Sequence, residues 1–256
     1  MKNARYLGFL VLGLVVIGFV GYTLVDSRRI EIQSGPIKIG ALLCLTGSCA
    51  EWGENSLKGV QLAVKELNKS GGILGQSVEI VVQDGAEDEV RNSVNGYQSL
   101  RHEGVQFIIG PSWTPAGLAL APMAGSDDVI MISPSLGVAD FNEASPNLFN
   151  TWPHDEIATR FLARFAFNQG WHKVAIFSSK QPWEQVQGNA FEDEIKKLGG
   201  TVVFKVEPQE GVKDLRTEAL KMKNSNPDVV MFSNLINMGV AAKELKNLDY
   251  LGHKVS

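Results

Sequence analysis

The stretch "IKIGALLCLTGSCAEWGENSLKGVQLAVKELN", residues 37 to 68, decides the fold of this chain. It opens with seven mostly apolar residues, which predict a strand covered on both faces, as in parallel sheets. From Asn55 to Lys69 apolar residues recur at helical spacing, which predicts an amphipathic helix. Between them we expect a loop, 44–54, that holds two cysteines and Trp52. A loop that only connects two elements has no need of an indole, so Trp52 suggests a binding role.

Strands and helices continue to alternate along the rest of the chain. Further strands are predicted in "SVEIVVQD", "VQFIIG", "VIMIS", "NLFNTW", "HKVAIFSS", "GTVVFKVE" and "PDVVMFSN". Helices are predicted over 87–103, 118–124, 155–168, 183–198, 214–223 and 238–248. This alternation indicates βαβ units, and therefore an α/β fold with parallel sheets. Because the pattern restarts near 150–155, we expect two Rossmann-like lobes, 36–151 and 152–256.

The loops that follow the strands are the expected place for a ligand, because doubly wound sheets bind ligands at the carboxyl ends of their strands. These loops are 44–54, 84–87, 110–117, 133–140, 178–184 and 233–238. Three of the five tryptophans, Trp52, Trp113 and Trp183, fall in them. This placement favours a stacking pocket, although indoles packed on the lobe surface would give the same pattern.

The first 29 residues are expected to be separate from the fold. Lys2 and Arg5 precede an apolar run over residues 6–25. A run of this length fits either a cleaved secretory signal or an uncleaved membrane anchor. Both alternatives place the remainder on the periplasmic or extracellular side, and the anchor would add membrane contact through this segment.

Composition and charge exclude several classes of function. The chain is 44% hydrophobic and 20% charged, as in ordinary globular proteins. Residues 1–29 hold four of the 24 basic and one of the 28 acidic residues, so the remainder has a formal charge of −7. A nucleic-acid partner is therefore not expected. The chain lacks the G-x-S-x-G, Walker and H-E-x-x-H motifs, so we expect neither an enzyme nor a cofactor.

Two cysteines, Cys44 and Cys49, lie close together in the first loop. In an exported protein they can form a disulfide, and the alternative is two free thiols. Their spacing fits no zinc site, and the four histidines are scattered, so no metal is expected.

The order of several segments resembles a known family. Residues 37–84 run through a strand, a T/S-G loop, an aromatic-Gly pair, a helix, G-G-I-x-G and a strand that ends in Asp. "FIIGPSWTPAGLALAPMAGSDDVIMISPS" and "KVAIFSSKQPWEQVQGNAFEDEIKKLGGTVV" follow in the expected order. In this respect the chain resembles the type I periplasmic solute-binding proteins of the branched-chain amino-acid group of ABC transporters. Members run about a hundred residues further, so relative to them the second lobe is incomplete at its C-terminus.

The resemblance implies a clamp that closes over a small polar solute, such as an amino acid, amide or carboxylate, and delivers it to an ABC permease in the membrane. Thr114, Ser135 and Gly137 occupy the positions that hold the polar groups of the solute. Trp52 and Trp183 occupy the flanking aromatic positions. Trp113 either lines the cleft or tucks under its loop.

This sequence departs from the family pattern at two positions. Gly137 stands where amino-acid binders often carry a hydroxyl, and Leu235 stands where they supply a tyrosine. Asp84 is expected either to cap the following helix or to touch the solute, and Asp155 is expected to cap its helix. Trp152 and His154 lie near the predicted hinge and could face the cleft. Besides a transport receptor, the residues leave open an anchored ligand-sensing domain of the same fold and, further off, an α/β hydrolase.

Overall fold

Two parallel sheets organise the chain. The structure, a computed structural model, describes residues 35–47, 49–86, 90–209 and 211–256. The strands of this part of the chain are β1 Ile37–Leu43, β2 Val78–Asp84, β3 Phe107–Ile109, β4 Ile130–Ser133, β5 Leu148–Asn150, β6 Lys173–Phe177, β7 Thr201–Val206, β8 Val229–Phe232 and β9 His253–Val255. The first sheet has the order β2-β1-β3-β4-β5 and the second β7-β6-β8-β9, with every neighbouring pair parallel. The predicted α/β fold with parallel sheets is confirmed.

Helices connect successive strands. They are α1 Ala50–Lys69, α2 Val90–His102, α3 Thr114–Ser126, α4 Ala139–Glu143, α5 Asp155–Asn168, α6 Pro182–Lys197, α7 Arg216–Asn224 and α8 Met238–Asn247. Five of the predicted helices match these within three residues at each described end. Helix α3 is longer than predicted: it begins at Thr114, with Pro115 in its first turn, and ends at Ser126. Helix α4 and strand β9 were not predicted from the sequence.

One face of the first sheet carries the core of the N-terminal half. Leu42, Ile108 and Met131 alternate inward from neighbouring strands and are fully buried, together with residues of α2, α3 and α4. On the opposite face Phe107 and Phe149 are each about half exposed, at 46% and 49%. The register pairs Ile132 with Phe149, so these exposed apolar residues share one face. Burial in this sheet is therefore one-sided over β3–β5.

The second sheet is covered on both faces. All four residues of β8 are buried, and they contribute alternately to two apolar clusters, one on each side of the sheet. An ion pair links two helices on one of these faces: Arg164 Nε of α5 donates to Glu194 Oε1 of α6 at 2.6 Å. This double coverage explains why the strands of the second half read as continuous apolar runs.

The segment 1–29, with its alternatives of signal and anchor, lies outside the described residues. Among the helices that are described, none combines the length and apolar character needed to cross a membrane.

The structure joins Cys44, just after β1, to Cys49, which precedes α1, in a disulfide with a Cα–Cα distance of 5.9 Å. Both cysteines are fully buried. We therefore expect no alkylation of the protein purified from an oxidising compartment, and two alkylated thiols after unfolding and reduction. Intact-mass spectrometry with and without reductant checks this. Two thiols that react in the native protein would contradict the disulfide.

Helix α1 starts earlier than the sequence predicted. The helix begins at Ala50 instead of Asn55, so Trp52 lies in its first turn and not in a loop. Gly53 explains how the helix can start so early. A Cβ on Gly53 would lie 1.6 Å from the carbonyl oxygen of Cys44, so only glycine lets α1 approach the end of β1 this closely.

Candidate ligand-binding cleft

Loops and helix starts that follow the strands line a cavity of about 330 Å³. Such volumes are typical of sites for small molecules. All six residues predicted for the site lie on its wall. The full lining is Cys49, Trp52, Ser112, Trp113, Thr114, Ser135, Gly137, Trp152, Asp155, Trp183, Gln187 and Leu235.

The wall that contains Trp52 is held by Asp84. Its carboxylate accepts hydrogen bonds from Leu45 N at 2.9 Å and from Thr46 Oγ1 at 2.6 Å, which fixes the segment after β1. Asp84 itself is not part of the lining. Asp84 is therefore not observed as a cleft residue, and its carboxylate instead braces the loop after β1.

The start of α3 and the loop after β4 supply hydroxyl groups to the wall. Thr114 is the first residue of the helix, and its hydroxyl makes no hydrogen bond to any described residue, so it can bond a ligand. Ser135 differs, because its Oγ donates to the carbonyl oxygen of Ser112 at 2.7 Å. The Ser135 hydroxyl therefore braces two loops and keeps only its lone pairs for a ligand, which makes it a weaker donor candidate than the resemblance implies.

Four of the five tryptophans line the cleft. The rings of Trp52 and Trp113 stack with centroids 6.3 Å apart, and Trp113 meets Trp183 edge to face at the same distance. The three indoles therefore form a continuous row, so Trp52 and Trp183 do not face each other across the cleft as isolated walls. Trp183 also packs against the core of the first sheet, and its N–H is buried without an acceptor among the described residues. Trp52 and Trp152 are each 53% exposed and leave one side open.

Asp155 lines the cleft, although the sequence predicted a helix cap at this position. His154 is the N-cap of α5 and Asp155 is the first residue of that helix, so Asp155 is not the cap. Its Oδ1 accepts a hydrogen bond from Trp152 Nε1 at 3.1 Å. Its backbone N–H donates to the carbonyl oxygen of Gly137 at 2.8 Å.

Burial raises the pKa of the Asp155 carboxyl above its ordinary value, because desolvation outweighs the hydrogen bonds from the side chains of Trp152 and Gln187. The half-buried carboxylate also explains Gly137. A Cβ at Gly137 would lie 2.1 Å from Asp155 Oδ2, so the glycine leaves room for the carboxylate. The position where the family often has a hydroxyl is thus occupied by a carboxylate from another element.

Two further lining residues come from the second half of the chain. Leu235 lies in a loop that the sequence analysis marked as a candidate, and its backbone N–H donates to Glu184 Oε1 at 2.8 Å. Gln187 lies one helical turn after Trp183 on α6, a spacing that could have identified it. No cluster of three His, Cys, Asp or Glu side chains that could hold a metal ion occurs among the described residues.

Comparison with known proteins identifies the family. The sequence profile described as "Periplasmic binding protein" matches residues 36–255, which is most of the chain. The chain therefore belongs to the periplasmic binding protein family.

Individual relatives agree with this assignment. The Leu/Ile/Val-binding protein BraC3 of Rhizobium johnstonii is 27% identical over 230 residues, which cover 88% of this chain and 62% of that protein. The Leu/Ile/Val-binding protein of Escherichia coli K12 is 24% identical over 77% of this chain and 54% of its own length. The chain thus spans less than two thirds of the length of these relatives.

Solved structures share the fold. A solute binding protein of an ABC transporter from Rhodopseudomonas palustris HaA2, in complex with p-hydroxybenzoic acid, aligns with a TM-score of 0.76 and 25% identity over 86% of this chain and 61% of that one. A leucine binding protein from Thermotoga maritima aligns with a TM-score of 0.74 and 23% identity over 85% and 62%. The fold is therefore that of type I periplasmic binding proteins.

Proposed function

We propose that this protein is an extracytoplasmic solute-binding protein of an ABC importer. It captures a small polar solute, in the range of amino acids, amides and carboxylates, and presents it to a permease in the membrane. The relatives are named as Leu/Ile/Val-binding proteins, and one solved structure holds p-hydroxybenzoic acid, so relatives of this chain bind different solutes. Solute binding is the part of the function common to these relatives.

The proposal rests on one observation: the residues that line the cavity come from both halves of the chain. Trp52, Thr114 and Ser135 come from segments of the first sheet, whereas Trp183 and Leu235 come from segments of the second. A solute in this cavity would touch both predicted lobes at once. Binding would therefore favour a conformation in which the lobes are closed on the solute, which is how a receptor signals its loaded state.

The sensing alternative uses the same cleft. The apolar run at residues 6–25 is long enough for an anchor, and this observation favours an anchored ligand-sensing domain as the second candidate. The hydrolase alternative finds less support. The Ser135 hydroxyl donates to a backbone carbonyl and not to a general base, so it is not activated as a nucleophile.

A ligand screen followed by an uptake assay tests the proposal. We expect the protein to be stabilised against thermal unfolding by one or more members of a panel of amino acids, amides and small carboxylates. At a concentration of about 100 times the Kd, binding adds roughly 2.7 kcal/mol to the free energy of unfolding. Calorimetry then gives the affinity. Deletion of the gene is expected to abolish uptake of that solute, whereas unchanged uptake with binding intact favours the sensor.

A further inference from the structure

Asp155 is the ionisable residue of the cleft. Among the described residues of the lining, it alone has a side chain that titrates, because Cys49 is held in the disulfide and the others are neutral. No Lys or Arg occurs among these lining residues. The electrostatic character of the wall that the structure describes is therefore negative, which favours cationic over anionic ligands.

Hydrogen bonds fix both the carboxylate and the backbone of Asp155. Trp152 Nε1 donates to Oδ1 at 3.1 Å, and the backbone of Asp155 is tied to Gly137 by a hydrogen bond of 2.8 Å. The missing Cβ at Gly137 provides the space for Oδ2. A side chain fixed in this way is pre-organised, so a ligand that pairs with it loses little affinity to ordering the site.

Four indole rings supply much of the remaining lining. Trp52, Trp113 and Trp183 form the row already described, and Trp152 joins the same wall. The face of an aromatic ring is electronegative, and tryptophan attracts cations more strongly than the other aromatic residues do. Indoles beside a carboxylate are well suited to a positively charged nitrogen with apolar substituents, since the carboxylate pairs with the charge and the rings cover the hydrocarbon.

Desolvation supports the same conclusion. Burial makes the charged form of Asp155 less favourable, which is why its pKa is raised. A cationic ligand would offset that cost, whereas a carboxylate ligand would place a second negative charge beside the first. Closure over the open side near Trp52 and Trp152 would strengthen the attraction by removing water.

We propose that Asp155 is the charge-bearing anchor of the cleft and that the solute is an organic cation, namely an amine or ammonium compound with a small apolar body. The ammonium group pairs with the Asp155 carboxylate, and the row of indoles encloses the apolar body. A carboxylate on the solute is not required. This inference rests on the proposed function, because it names the solute class of the same cleft.

Matched pairs of probes that differ in charge test this. Calorimetry of the protein with 3-methylbutylamine and with 4-methylpentanoate compares one carbon skeleton as cation and as anion. Phenethylamine and 3-phenylpropanoate repeat the comparison with an aromatic skeleton. We expect each amine to bind at least about tenfold more tightly than its acid, the difference typical of one hydrogen bond to a charged group. Equal binding, or tighter binding of the acids, overturns the inference.

The variant Asp155→Asn isolates the charge. We expect it to weaken amine binding at least about tenfold and not to lower the affinity for the acids. General damage to the fold would lower both affinities. Gly137→Ala, which keeps the carboxylate but crowds it, is expected to weaken amine binding as well. Asp140→Asn is the matched control, since Asp140 is exposed on α4 and outside the lining. Its affinity is expected to equal that of the unmodified protein.

The outcomes separate the inference from the proposed function. If Asp155→Asn binds the amines as tightly as the unmodified protein does, Asp155 is not the anchor. If amines fail to bind while a carboxylate or a neutral amide binds, the inference is wrong and the proposed function stands. If nothing in either panel binds to the folded protein, both are wrong. Circular dichroism of each variant establishes that it is folded.

Discussion

The variant Trp52→Ala is expected to bind its solute at least about tenfold more weakly, a loss of roughly 1.4 kcal/mol. Trp52 supplies an exposed aromatic wall and stacks on Trp113, so its removal opens the cavity and leaves the neighbouring ring unsupported. Large aromatic side chains commonly dominate the binding energy of such sites. The fold is expected to survive, since Trp52 belongs to no buried cluster. Calorimetry with the solute from the ligand screen measures the loss.

Two further variants make this prediction specific. Trp52→Phe retains an aromatic ring, so its affinity is expected to lie between those of the unmodified protein and Trp52→Ala. Trp171→Ala removes an indole that stacks on His253 outside the cleft. It is expected to lower the stability and leave the affinity unchanged. Unaltered affinity in Trp52→Ala would mean that the solute does not bind in this cleft.

The order of elements was predictable because each one follows a strong local pattern. Helix α5 begins and ends where its spacing predicts, at Asp155 and Asn168, and the buried strands β6 and β8 stand out as apolar runs. The errors occur where tertiary contacts override the local pattern. Helix α4 has only five residues, too few for a periodic signal, and β9 is recognised only through its pairing with β8.

The cleft was predictable in outline because parallel strands bring their following loops together at one edge. This rule predicted Trp52 and Trp183 as residues that flank the solute, and it left open whether Trp113 lines the cleft. It could not show that Trp113 bridges the other two, because ring contacts depend on side-chain directions that spacing does not specify. The rule also could not identify the hydrogen-bond acceptor of the Ser135 hydroxyl, because that acceptor, the Ser112 carbonyl, lies in another loop.

Asp155 shows most clearly what local reasoning misses. An acidic residue at the start of a helix has an ordinary explanation in the helix dipole, and the sequence offers no reason to look further. Its role depends on Gly137, which is 18 positions earlier in the chain and lacks the Cβ that would collide with the carboxylate. The absence of a hydroxyl at Gly137 was visible in the sequence, but its consequence required the structure.

The variant Gly53→Ala is expected to lower the free energy of unfolding by about 3 kcal/mol, the upper end of the usual cost of overpacking. The new Cβ would lie 1.6 Å from the Cys44 carbonyl oxygen and 2.4 Å from its carbon. These are backbone atoms at the end of β1, and the disulfide to Cys49 holds the start of α1 against them. The clash therefore cannot be relieved by a side-chain rotation. Urea denaturation followed by circular dichroism measures the change.

Helix α1 contains its own control for this prediction. Gly59 lies six residues later in the same helix, and a Cβ there would meet open space. Gly59→Ala is therefore expected to stabilise the protein by about 0.5–1 kcal/mol through helix propensity alone. If the clash depends on the disulfide, Gly53→Ala should cost less in a Cys44→Ser/Cys49→Ser background, where α1 can move away from β1. An equal cost in both backgrounds would show that the packing of α1, and not the disulfide, keeps Gly53 against the Cys44 carbonyl.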